Sequence, residues 1–326
     1  MKLYINKLTF ILLLLFIGGG CSQSTDEKVA EAILSANIHL SSSNCSSAIS
    51  ILEDVGRQNS NASYLKTLAS AYACAAGFNE LTFFGKDLGD FTGLTGASTL
   101  STSAMSAADD TQYESLQTAI DILLYAGGIA STKNPTAALR QTHFNSNDAG
   151  DINAQLMYML MAQLGKFSYY YGNTNSLGAK GEGAQGSNTC FFDYDNAITF
   201  NPAATTMAAY LDGLAAGNNC GSAGTGHNDF NPAATKVARL CQGVVLLNNF
   251  TDIFPDVISS FAGDNFNVMA GLEVLIDGYK ADVINADPDI ATILAVQSQA
   301  RCESENSGTD RYLQLYYAFM YEVMLP

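Results

Sequence analysis

From Asp26 to Ala76 apolar residues recur every three or four positions, and nowhere does this stretch alternate long enough to make a strand. A chain patterned this way must bury its apolar stripes by packing helix on helix. The first helix carries Ala30, Ile33, Leu34, Asn37 and Ile38 on the face expected to point inward. A Ser-Ser-Ser-Asn break at 41–44 precedes a second helix with Ala48, Ile49, Leu52 and Val55 on one side. Asn59 to Asn61 breaks and caps the chain again, and a third helix runs from Ala62 to Ala76, with Gly77 as its stop.

Beyond Asp90 the regularity weakens. Residues 91–107 are rich in Gly, Ser, Thr and Ala and read as loop, and helical patterns return at 109–126 and 135–143. A longer helix, 151–171, puts Leu156, Met157, Leu160, Met161 and Leu164 toward the core, and 172–190 is a Gly/Asn/Ser-rich loop. Loops of that length are uncommon without a function. Asn-Pro stands at three helix starts, Asn134-Pro135, Asn201-Pro202 and Asn231-Pro232, where Asn caps and Pro suits the first turn. Closing helices are expected at 232–250, 252–262, 265–284, 288–302 and 308–324. In the last, Leu313, Tyr316, Tyr317, Met320 and Tyr321 form the face that closes the stack.

Leu68-Ala69-Ser70-Ala71-Tyr72, followed six residues later by Phe78, resembles the first helix of a tetratricopeptide repeat and the aromatic that opens its second. Ala48, Leu52 and Val55 match the second helix of a preceding unit, whereas Leu81 and Gly85 depart from the pattern where Ala and an aromatic are usual. The resemblance covers residues 26–90 and implies antiparallel hairpins stacked into a right-handed superhelix. In such a hairpin Cys45, at one helix start, lies beside Cys74, near the other helix end.

The N-terminus constrains the address. Lys2 and Lys7 precede and punctuate a short apolar run to Ile17, and Gly18-Gly19-Gly20-Cys21 follows. A basic start, about ten apolar residues and small residues at the exit describe an export signal, too short for a span of about twenty apolar residues. Cys21 after those small residues resembles the lipobox of bacterial lipoproteins, although Gly18 stands where Leu, Val or Ile is preferred. An ordinary secretory signal, cut after Gly18 and Gly20 as its small pair, is the alternative. Both readings remove residues 1–20. The resemblance implies acylation of Cys21, a tether over 21–27 and a helical domain over 28–326; Ser22, not Asp, favours the outer membrane.

Removing Lys2 and Lys7 with the leader takes the formal charge from −16 to −18. That balance argues against nucleic acid, which needs clustered Lys and Arg, and against docking on anionic lipid through basic patches. The remaining cysteines, Cys45, Cys74, Cys190, Cys220, Cys241 and Cys302, are even in number, as in an exported, disulfide-bonded chain. They allow fifteen pairings. Their order along the chain suggests Cys45–Cys74, Cys190–Cys220 and Cys241–Cys302.

Catalysis is not signposted. His39, on the face of the first helix taken as inner, reads as a core or interhelical hydrogen-bonding residue, and His143 and His227 stand alone. No Gly-x-Ser-x-Gly elbow, His-Glu-x-x-His pair or Gly-Lys-Ser/Thr loop occurs. Asn285-Ala286-Asp287-Pro288-Asp289 spaces oxygens as a calcium loop does, but Ile290 and Val296 replace the required Gly and Glu, so a helix cap by Asp287 fits better. Asp193-Tyr194-Asp195-Asn196 lacks the remaining ligands. Neither a metal nor another cofactor is expected. Tyr169, Tyr170 and Tyr171 cannot all face one core, because neighbouring helical positions point about 100° apart. They are either a ligand-binding edge beside the loop to Cys190 or local packing beneath it.

The fold expected is all-α, a stack of tetratricopeptide-like hairpins with long loops and disulfides. Such stacks present concave surfaces that bind partners. The function expected is a lipid-anchored binding or scaffold module of a bacterial envelope, with a protein or peptide partner and no nucleic acid. It is similar in architecture to the helical lipoproteins that accompany tripartite uptake transporters. The alternatives are an envelope enzyme of unrecognised type, marked by a pocket where two carboxylates converge, and a surface adhesin.

Overall fold

The computed structural model describes residues 24–78, 105, 107, 109–173, 197–200, 205–213, 234–260, 277–278 and 280–321. The described residues are helical and include no sheet, only one isolated bridge between Thr199 and Thr206. Cys21, the Cys190 and Cys220 pair, the Asp193–Asn196 run, Asn201-Pro202, Asn231-Pro232, His227 and most of the helix expected at 265–284 lie outside them.

Helix α1 (Thr25–Ser41) starts at a reciprocal cap: Ser24 Oγ accepts from Glu27 N at 3.2 Å and Glu27 Oε2 accepts from Ser24 N at 2.8 Å. Its buried face is not the one expected. Val29, Ala32 and Ala36 point inward, Ile33 packs at the edge, and Leu34 and Ile38 are 64% and 61% exposed. The alanines explain the rotation, since small side chains let α1 approach α2 (Cys45–Asp54) and α3 (Ala62–Ala75) closely. His39 accordingly sits at the helix end, half-buried, its Nδ1 3.3 Å from Asn44 Nδ2. It bridges to the start of α2 and does not enter the core.

α2 and α3 are antiparallel, and the Cys45–Cys74 disulfide joins the start of one to the end of the other with Cα atoms 5.6 Å apart. Across the same seam the Tyr64 hydroxyl donates to Leu52 O at 2.9 Å. α4 (Thr111–Leu124) packs against α3, its first turn capped by Asp110 Oδ1, which accepts from Gln112 N and Tyr113 N. After a short turn containing Gly127 (φ +79°), α5 (Ala137–Gln141) leads to α6 (Ser146–Tyr171).

α6 is the axis of the molecule. It begins five residues earlier than its apolar pattern implies, because Asn145 Oδ1 accepts from Asn147 N and Asp148 N. At 26 residues it spans about 39 Å. It is buried around most of its circumference, with α4 and α3 on one side and α8 (Lys236–Ser260) on another. Arg140, wholly buried, ties this region together: its Nε donates to Asn153 Oδ1 at 2.6 Å and its Nη1 to Leu124 O and Pro135 O.

Two helices expected at 232–250 and 252–262 are one helix, α8, running through Thr251, Asp252 and Pro255. Asp252 reads as a break but serves another helix: its Oδ2 accepts from Ala137 N, in the first turn of α5, at 2.8 Å. The reverse correction applies to 288–302. There a short 3-10 turn (Pro288–Ile290) and α9 (Ala291–Ala295) are separated from α10 (Gln299–Glu305) by extended Val296. The carbonyls freed by that break are met by α8: Asn248 Nδ2 donates to Ile293 O and Val296 O, and Asn249 Nδ2 to Gln297 O, all within 2.9 Å. Cys241–Cys302 fastens α10 to α8.

α7 (Met207–Gly213) and α11 (Arg311–Tyr316) complete the labelled helices, and α11 continues into a π-helical turn at Tyr317–Tyr321. Leu313, Tyr316, Tyr317, Met320 and Tyr321 are all buried, as their spacing predicts. The π-turn fits because Gly243 leaves room on α8: a Cβ there would meet the Tyr317 hydroxyl and lie 2.7 Å from the Phe167 ring.

Candidate functional site

The tyrosine run separates on inspection. Tyr171 is 1% exposed and packs on Phe167 with ring centroids 4.8 Å apart, so it belongs to the core and not to a ligand-binding edge. Tyr170 is half-buried and meets Tyr171 edge-on. Tyr169 alone lines a cavity, a broad depression of about 750 Å³ whose other wall is Asp109, Asp110, Thr111 and Gln112 at the start of α4. Asp287 is not a side-chain cap either. It is fully buried, and its Oδ2 lies 2.6 Å from the Arg311 guanidinium. A carboxylate held that way is committed to a cation within the protein. Among the described residues no three His, Cys, Asp or Glu side chains converge as a metal site would require.

A second cavity is better built. It has a volume of about 420 Å³ and opens where α4, α8 and α10 meet, within the range of small-molecule sites. α4 contributes Gln117, Asp121 and Leu124, with Tyr125 just beyond its end. α8 contributes Gln242, Val245 and Leu246, the two aliphatic residues forming an apolar floor with Leu124. From α10 come Gln299, Ala300 and Glu303.

Helical spacing organises the polar walls. Gln117 and Asp121 stand four residues apart on α4, and Gln117 Nε2 donates to Asp121 Oδ1 at 3.0 Å. Gln299 and Glu303 repeat the arrangement on α10, Gln299 Nε2 donating to Glu303 Oε1 at 2.7 Å and to Ala238 O at 2.9 Å. Gln117 is itself fixed from behind, because the fully buried Gln163 of α6 donates to its Oε1 at 3.3 Å. Each carboxylate is thus aimed by an amide from its own helix. Gln242 Oε1, on the third wall, is shielded from water and accepts no hydrogen bond from the protein.

Asp121 is exposed to solvent at the cavity rim. The protein packed beneath it still disfavours its charge and pushes its carboxyl up to about 6, with the Gln117 hydrogen bond opposing. The Tyr125 phenol is pushed upward as well, mainly by burial and then by the nearby Asp121 charge. Among the described residues no Lys, Arg or His lines the cavity. Arg301, the cation of α10, is engaged with Glu305 at 2.7 Å. The chemistry on offer is therefore anionic above an aliphatic floor, with Gln242, Tyr125 and Ser131 completing the polar lining.

Sequence reasoning passed over these residues because Gln-x-x-x-Asp and Gln-x-x-x-Glu on a helix read as ordinary solvated faces. Comparison with known proteins finds no matching family model, no matching curated protein and no matching solved structure.

Proposed function

We propose that this chain is a lipid-anchored binding module of a bacterial envelope, tethered through acylated Cys21, and that it takes its ligand in the cavity between α4, α8 and α10. The observation that carries the binding role is the cavity itself: two carboxylates oriented by amides of their own helices, over an apolar floor. The envelope address is supported by the Gly-Gly-Gly-Cys21 exit of the leader and by disulfides at Cys45–Cys74 and Cys241–Cys302, which persist in oxidising compartments. A resemblance to tetratricopeptide lipoproteins, including those that serve uptake transporters, fits a module that presents a ligand or a protein partner to a membrane complex.

The test is a thermal-shift screen of the mature chain against small metabolites, run in parallel with Ala300→Trp. Ala300 is exposed at the cavity wall, so the indole obstructs the mouth without disturbing the core. A binding module gives compounds that raise the melting temperature of the wild type and not of the variant. A screen in which no compound separates the two proteins contradicts the role.

The same cavity supports one second reading. Asp121, raised to about 6, and Glu303 line it from two helices, and glycan hydrolysis uses a pair of carboxylates. An Asp121→Asn variant that keeps ligand affinity but loses all turnover identifies an enzyme.

A further inference from the structure

Three properties of the cavity restrict what can enter it. Its charge is negative: Asp121 and Glu303 line it from different helices, and no basic side chain among the described residues does. A carboxylate or phosphate ligand would meet repulsion from both carboxylates with no cation among the described lining residues to offset it. Its two carboxylates are acceptors held in place by amides: Gln117 Nε2 and Gln299 Nε2 each donate to one of them, and Gln299 also donates to Ala238 O. A sugar offers as many acceptors as donors, whereas an ammonium offers three donors and no acceptor. Its floor, Leu124, Val245 and Leu246, is aliphatic and presents nothing polar to a ligand's middle.

We propose that the ligand is a small alkyl diamine, its two ammonium groups taken by Asp121 and Glu303 and its methylene chain laid on the aliphatic floor. This rests on the reading of the cavity as a binding site. The cavity volume of about 420 Å³ accommodates such a chain. Ionic hydrogen bonds to carboxylates are the stronger class, and one at each end fixes both orientation and length. The surroundings add attraction without competition. The whole chain carries a formal charge of −16, and Arg301, on the same helix as Glu303, is paired with Glu305 and does not line the cavity. Arg239, one turn before Gln242 on α8, and Lys133, close to Ser131 at the rim, do not line it.

The experiment is calorimetric titration of the mature chain with 1,4-diaminobutane in 150 mM salt, where diffuse attraction to the acidic surface is screened. Asp121→Asn, Glu303→Gln and Ala300→Trp are titrated beside the wild type, and butylamine, glucose and succinate serve as comparison ligands. The expected result is saturable one-to-one binding, weakened at least tenfold by each carboxamide variant and lost in Ala300→Trp, with butylamine weaker than the diamine and succinate silent. Affinity also falls between pH 7 and pH 5 as Asp121 takes up its proton. Diamine binding that all three variants retain, or no diamine binding, overturns the proposal. If glucose or succinate binds and Ala300→Trp abolishes it, the cavity remains a binding site and only the diamine is wrong. If no comparison ligand binds and the metabolite screen is also empty, the binding reading falls with it.

Discussion

The Tyr316 hydroxyl donates to Asn248 Oδ1 at 2.8 Å inside the seam between α8 and α11, and both residues are buried. The same Asn248 gives both protons of its amide to the α9 end, so one side chain satisfies three groups from two neighbouring segments. A buried polar group of this kind holds elements in register because leaving its partners unpaired is costly.

Asn248→Leu removes all three bonds, taking the side-chain donor from Ile293 O and Val296 O and leaving the Tyr316 hydroxyl only its long bond to Val244 O at 3.4 Å. The expected loss is about 3 kcal/mol, from a penalty of roughly 1–3 kcal/mol per unsatisfied group with partial relaxation. Tyr316→Phe removes the bond to Asn248 and the long one to Val244 O and costs about 1 kcal/mol. Urea unfolding of both variants measures the difference, and equal losses contradict the assignment of Asn248 as the hub.

Reduction separates the two described disulfides. Cys45–Cys74 closes a separation of 29 residues and Cys241–Cys302 one of 61. Chain-entropy arguments give about 3.5 and about 4.3 kcal/mol respectively. Double serine variants of each pair, unfolded in urea, should rank in that order. The Cys241–Cys302 variant should in addition loosen α10 and with it the Glu303 wall of the cavity, seen as faster amide exchange there.

Gly243→Ala tests the close approach of α8 to the π-turn. The added methyl meets the Tyr317 hydroxyl and the Phe167 ring, both in the core. Overpacking of this kind costs about 1–3 kcal/mol, although alanine is the better helix former by about 1 kcal/mol. A lower melting temperature for Gly243→Ala is expected, and a higher one shows that the seam is loose.

Asp121 gives stability a pH dependence of definite sign. Its carboxyl is held at about 6 in the folded protein against 3.8 for the ordinary group, so the folded state binds its proton more tightly. The contribution that favours folding is complete below about 3.8 and is lost as pH rises through 6. Asp121→Asn, always neutral, should therefore melt about 1–2 °C above wild type at pH 8 and level with it near pH 4, the size being small because water reaches the group. A variant less stable than wild type at pH 8 contradicts the confinement of this carboxylate.

Much of the helical plan is legible in the chain because large apolar residues dominate it. Leu156, Met157, Leu160, Met161 and Leu164 face the core as their spacing requires, and so does the closing set around Tyr316. Legibility ends where small or polar residues decide. α1 turns toward its neighbours on Ala32 and Ala36, not on Leu34 and Ile38. α8 runs on through Asp252 because that carboxylate caps a different helix. The break before α10 is set by Asn248 and Asn249, distant residues that satisfy the freed carbonyls. The candidate site is hidden for the same reason: Asp121, Gln242 and Glu303 come from three helices, and each alone looks like a solvated surface residue. Tyr171, beside a Gly-rich segment, takes the second of the two alternatives its sequence leaves open, local packing.

The proposed lipid anchor is tested most directly by intact mass and membrane fractionation of the protein from its own host, beside Cys21→Ala. A mass increment of lipid size with membrane association, both lost in the variant, is the predicted result. An unlipidated protein that stays in the soluble fraction, identical in mass to the chain cut at its leader, would contradict it.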